Sequence, residues 1–259
     1  MVLSNYGGYT NEKIMTVLTA AIAVASLGYA LNPTYLTLIL CFVVTSVVVL
    51  VGLWIDYKIR RNGNAFLRRI AYYFTRKDSD YDIEQLQCSY SCLGNGLYTS
   101  KRIVELKSNR NDLQGLDNRY RWSAPSSMAI VEPIENGQSI KGMHQEDDWI
   151  HYTVNFGRVC KKGKTIRSGS IIKNLQDTDN KACPFLSCVI QKKTKQLTMS
   201  VEFPKDNKPE GEVIFKVTAY GKQVGENEVL EYNTKVDGYT KTVEYPRKGW
   251  RYVISWEKK

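Results

Sequence analysis

Two uncharged apolar runs near the N-terminus constrain this chain more than any other feature. Ile14 to Leu31 and Tyr35 to Ile55 carry no Asp, Glu, Lys or Arg. Each approaches the roughly 20 residues that cross a hydrocarbon core of about 30 Å. The second holds Leu38-Ile39-Leu40, Phe42-Val43-Val44, Val47 to Val51, Leu53 and Ile55. At about −0.3 to −0.6 kcal/mol per large apolar residue it should insert unaided. The first is richer in Ala, Ser and Thr, and is expected to enter as half of a hairpin turning at Asn32-Pro33-Thr34. A signal peptide is the competing reading, but Glu12 cancels the thin basic flank at Lys13 and a second run follows at once.

The flanking charges then set an orientation. Lys58, Arg60, Arg61, Arg68, Arg69, Arg76 and Lys77 follow the second run, and none lies in the turn before it. The positive-inside rule places that flank, and with it both termini, in the cytoplasm. Ala21, Ala25 and Gly28 form a small-residue face suited to close helix packing, so a homo-oligomer in the lipid bilayer is expected. Phe66, Leu67, Ile70, Tyr73 and Phe74 recur at near-helical spacing. With Lys58, Arg60, Arg61, Arg68 and Arg69 they predict a basic collar facing anionic lipid. Asp78, Asp80 and Asp82 read as a linker.

Beyond residue 83 the pattern changes to alternation and β-branched runs. Strands are predicted at Met128 to Val131, Trp149 to Val159, Thr165 to Ile172, Pro184 to Ile190, Gln196 to Phe203, Val213 to Tyr220, Glu228 to Tyr232, Thr240 to Tyr245 and Trp250 to Trp256. Turn signals such as Lys162-Gly163 and Asp237-Gly238 separate them, which argues for an all-β sandwich or barrel. In the last strand Trp250, Tyr252, Ile254 and Trp256 share one face, expected to be the core face. Residues 83 to 120 read ambiguously as strand or helix. The predicted fold is thus a membrane protein: a transmembrane hairpin (1–56), a basic juxtamembrane helix and linker (57–82) and an all-β cytosolic domain (83–259).

No catalytic motif emerges, and no enzyme, cofactor or metal is expected. His144 and His151 are the only histidines. Glu146-Asp147-Asp148 could in principle serve an enzyme beside them, but adjacent acids in a turn ordinarily face solvent. Cys88, Cys92, Cys183 and Cys188 have poor zinc spacing and read as buried thiols. Positive charge stands out instead. Arg158, Lys161, Lys162, Lys164 and Arg167 cluster about one predicted hairpin, in a chain of formal charge +10. Solvated strand ends explain any single cluster. The overall charge still points to an anionic partner: lipid headgroups, a nucleotide or a short nucleic acid.

The layout of hairpin, collar and β-rich domain, closing on Tyr245-Pro246-Arg247-Lys248-Gly249-Trp250-Arg251-Tyr252-Val253-Ile254-Ser255-Trp256, resembles the small membrane effectors of bacterial antiphage defence. These are the two-transmembrane β-strand-rich effectors of CBASS and the membrane effectors of Hailong-type systems. The resemblance implies a bacterial inner-membrane location, a ligand made by a partner nucleotidyltransferase, and an oligomer or channel that the ligand controls. It supplies no binding residue. The rival expectation is a membrane-tethered module that anchors a cytosolic partner.

Overall fold

The structure is a computed structural model. It describes residues 40–54 except Cys41, Thr45 and Val48, then 65–74, 78, 80–122, 129–177, 183–203 and 208–257. The chain divides into two compact units, residues 1–61 and 62–259.

In the first unit the described residues between 40 and 54 are helical (α1). Among the described residues no helix is long and apolar enough to cross a membrane. This finding corrects the predicted transmembrane hairpin, and with it the inner-membrane location and the channel reading that rested on two spans. The first apolar run, with Ala21, Ala25 and Gly28, lies outside the described residues, as do Lys58, Arg60 and Arg61.

Among its described residues the second unit is built of strands, with one helix, α2 (Ala65–Phe74), near its start. A seven-stranded sheet has the order β12-β13-β9-β1-β2-β7-β4. Its members are β1 (Tyr81–Gly94), β2 (Leu97–Ser108), β4 (Ile130–Pro133), β7 (Thr165–Gln176), β9 (Thr194–Glu202), β12 (Tyr232–Asn233) and β13 (Gly238–Glu244). Neighbours run antiparallel except β1 and β9, which pair in parallel from Ile83↔Thr194 to Ser91↔Glu202. A four-stranded sheet holds β11 (Lys222–Val229), β10 (Ile214–Ala219), β14 (Arg251–Ser255) and β8 (Phe185–Val189), and a three-stranded sheet holds β3 (Leu113–Tyr120), β6 (Trp149–Cys160) and β5 (Ser139–Glu146).

Both smaller sheets cover the same face of the large one. The Tyr90 ring on β1 lies 5.8 Å from Trp256, just beyond β14. The Tyr152 hydroxyl on β6 meets the Ser170 hydroxyl on β7 at 2.7 Å. The core between the layers follows the period-two alternation of the strands. Leu86, Val104, Leu106, Leu197, Met199 and Val201 are buried from the large sheet, Tyr252 and Ile254 from one cover, and Tyr152, Val154 and Phe156 from the other. Trp250, Tyr252, Ile254 and Trp256 are all buried, as the alternation predicted. Val253 on the opposite face is buried as well.

The collar helix packs on this domain. Arg68 of α2 is half-buried, and burial lowers its pKa against the opposing influence of Tyr252. The Tyr72 ring lies 5.1 Å from Tyr245, the Lys193 ammonium 4.5 Å from the Tyr72 ring, and the Arg69 guanidinium 5.9 Å from Tyr245. Nor is Asp78 in a free linker. Its Oδ1 accepts from Lys248 Nζ at 2.6 Å and its Oδ2 from the Lys193 backbone N–H at 2.6 Å.

Candidate functional site

The basic cluster lies on and beside the turn joining β6 to β7, which belong to different sheets, so the strands do not pair as the predicted hairpin. Arg158, Lys161, Lys162, Lys164 and Arg167 are all exposed. The turn backbone is fixed to the end of β2. Gly163 N–H donates to Ser108 O at 2.7 Å, Ser108 N–H to Lys164 O at 2.9 Å, and Lys162 N–H to Asn111 Oδ1 at 3.2 Å. The Cys160 thiol is turned inward towards Lys164 O at 3.6 Å, and burial raises its pKa more than Arg158 lowers it. The turn backbone is thus tied to the end of β2 while its cations face solvent.

Arg167 joins this turn to a second feature that composition could not locate. On the uncovered face of the large sheet, Gln85 and Gln87 of β1, Ile103 and Glu105 of β2 and Arg167 of β7 line a recess of about 240 Å³. Their alignment comes from strand register. Gln85, Glu105 and Arg167 occupy one cross-strand row, and Gln87, Ile103 and Gly169 the next. Ile103 gives the recess a small apolar floor between amide and charged walls. The Arg167 guanidinium is steadied by Glu135, Nε to Oε1 3.2 Å. Gln138 holds the same strand by donating to Arg167 O at 2.9 Å. From Arg167 to Lys164 is three strand residues, roughly 10 Å. Period-two alternation in Gln85-Leu86-Gln87-Cys88 was the available signal for this recess, but no sequence feature showed which strands would lie side by side.

The other candidates lie elsewhere. His144 and His151 are cross-strand partners on β5 and β6, with rings stacked at 5.4 Å. Glu146 lies 3.7 Å from His151, and Asp148 pairs with Arg121 at 2.9 Å. Among the described residues no group of His, Cys, Asp and Glu is placed to hold a metal ion. Cys88 and Cys188 are both buried, while Cys183 is exposed. Of the collar cations, Arg68 and Arg69 lie against the β-domain.

No family model matches the chain, and no curated protein matches it. Among solved structures it is similar to an M1 zinc metallopeptidase from Deinococcus radiodurans, at 10% identity over 69% of this chain and 43% of that one, with a TM-score of 0.36. A variant two-domain M1 zinc metallopeptidase bound to L-arginine gives 12% identity, the same coverages and a TM-score of 0.36. A protease-like structure from Parabacteroides distasonis gives 11% identity over 68% of this chain and 40% of that one, with a TM-score of 0.39. The chain spans less than half the length of each of these structures, and likenesses of this size carry no argument about activity.

Proposed function

We propose that the β-domain is a binding module for a nucleotide or short oligonucleotide. The observation that carries this reading is the continuity of the basic β6–β7 turn with the recess on the open sheet face, through Arg167. Phosphate groups attract Lys as a point charge and Arg through its planar fork, which suits the turn. Glu105 would repel phosphate, so the phosphates lie toward Lys161, Lys162 and Lys164 and the base toward the recess. There the Gln85 and Gln87 amides can each donate and accept, the Glu105 carboxylate can accept from a base amino group, and Ile103 offers an apolar surface. An effector role in bacterial antiphage defence, with a partner nucleotidyltransferase supplying the ligand, fits that chemistry.

The test is titration of the full-length chain with ribonucleotides, cyclic dinucleotides and short single-stranded DNA at about 50 and about 200 mM salt. Binding should weaken as salt rises. Changing Lys161, Lys162 and Arg167 together to Glu should abolish binding. Changing Lys161 alone to Ala should flatten the salt slope by about one unit if it meets one phosphate. Glu105→Gln should alter preference among bases while leaving the salt slope in place. Failure of every probe to bind removes this reading and leaves a protein-interaction module as the reading to pursue.

A further inference from the structure

Glu105 stands without a partner on a face where its fellow carboxylates have one. On the uncovered side of the large sheet Glu132 pairs with Lys173, Glu202 accepts from the Ser91 hydroxyl, and Glu244 accepts from the Gln196 amide. Arg167 is the cross-strand neighbour that could neutralise Glu105, but its guanidinium is engaged by Glu135, Nε to Oε1 3.2 Å. The side chain of Glu105 makes no hydrogen bond or ion pair with any described residue, and neither do the side chains of Gln85 and Gln87. One carboxylate and two amides therefore border a single recess with their hydrogen-bonding capacity unused by the protein. The recess, at about 240 Å³, is smaller than the roughly 300–1,000 Å³ of pockets that take a drug-sized ligand. That is room for a base, with its sugar and phosphate outside.

We propose that this recess reads guanine, and that Glu105 is the residue that determines the choice. The inference rests on the nucleotide reading above and narrows it to guanine nucleotides. Guanine alone among the common bases presents two adjacent donors, N1–H and the N2 amino group, and a carboxylate offers two acceptor oxygens side by side. Adenine and cytosine place a ring-nitrogen lone pair beside their amino group. Uracil and thymine flank their single N–H with carbonyl oxygens on both sides. Each of these sets a lone pair against a Glu105 oxygen, which costs binding instead of adding to it. The Gln85 and Gln87 amides supply donors for guanine O6, and Ile103 lies beneath the ring as the apolar floor. The negative charge of Glu105 keeps the phosphates at the turn, where the lysines are.

The experiment titrates the full-length chain at about 50 mM salt with the 5′-monophosphates of guanosine, adenosine, cytidine, uridine and inosine. Inosine keeps N1–H and lacks the N2 amino group. Guanosine monophosphate should bind about tenfold more tightly than each of the others. Glu105→Gln keeps one acceptor and gains a donor. It should lose the guanosine preference and bind xanthosine monophosphate, which carries a carbonyl oxygen in place of the amino group, more tightly than guanosine monophosphate. Lys161→Ala should weaken every nucleotide alike and leave the ranking in place. Where only a cyclic dinucleotide or single-stranded DNA binds, the same ranking is read between its guanine and adenine forms. Equal binding of all bases, preference for a base other than guanine, or equal binding of guanosine and inosine overturns the proposal while the nucleotide reading stands. An unchanged ranking in Glu105→Gln overturns the role given to Glu105. Failure of every nucleotide and DNA probe to bind removes the nucleotide reading itself, and this proposal with it.

Discussion

Asp78 shows how a single carboxylate can hold the entry segment to the domain. Burial would raise its pKa, but the Lys248 side chain and the Lys193 backbone N–H outweigh that and hold it below the usual carboxylate value. A folded-state pKa below the unfolded one gives stability that is present above the unfolded value, near pH 4, and is lost as pH falls through the folded one. Asp78→Asn should thus cost about 1–3 kcal/mol at neutral pH. The difference from wild type should shrink below pH 4, as read from urea midpoints across a pH series. Gly169 makes the opposite kind of demand. A Cβ there would lie 2.1 Å from Arg102 O and 3.0 Å from the Ile103 Cα, both backbone atoms of the paired strand. Gly169→Ala should destabilise by about 1–3 kcal/mol through overpacking, measurable as a lowered thermal midpoint.

At the scale of one element, β14 offers a comparison within five residues. Ile254 is fully buried, and Ile254→Ala should cost about 2–5 kcal/mol. Arg251 is exposed at the start of the same strand, and Arg251→Ala should fall within about 0.5 kcal/mol of wild type. Equal midpoints for the two variants in chemical denaturation would contradict the strand's orientation. This strand was legible in the sequence because aromatic and aliphatic residues alternate there without interruption. The same is true of β6 and β7, whose starts at Trp149 and Thr165 coincide with the predicted ones. β1 was not legible, although it lies near the middle of the large sheet. A register shift between Ile83 and Gln85 puts Glu84 out of step, so that Ile83 and Leu86 are both buried three positions apart. That spacing imitates a helix. β5, with Gly142, His144 and Glu146 and almost every residue exposed, had no apolar face to reveal it. The apolar run before Ile55 misled in the other direction: hydropathy predicted a spanning helix, and among the described residues no helix is long and apolar enough to cross a membrane. For the candidate site, the basic turn could be read from charge and Gly163, whereas the recess needed the pairing of β1, β2 and β7.

For the molecule as a whole, the domain begins earlier than composition suggested. A fragment starting at residue 83 would remove α2, Asp78 and the first two residues of β1. It would also remove two backbone anchors, Asn109 N–H to Asp80 O at 2.8 Å and Asn109 Nδ2 to Asp78 O at 2.8 Å. Residues 62–259 should therefore be more stable than residues 83–259 by roughly 3 kcal/mol or more, counting two charge-assisted bonds at about 1.5 kcal/mol each. Coincident denaturation curves for the two fragments would show that the entry segment contributes nothing. The parallel pairing of β1 with β9 also bears on how the chain comes into being. Ser91 and Glu202, joined through their side chains at 2.7 Å, are 111 residues apart. At about 5–20 residues per second, a ribosome needs roughly 5–20 s to deliver β9 after β1 has emerged. Throughout that interval one edge of β1 has no partner, so the nascent chain has a window in which a chaperone, or a neighbouring polypeptide on the same message, can reach that edge first.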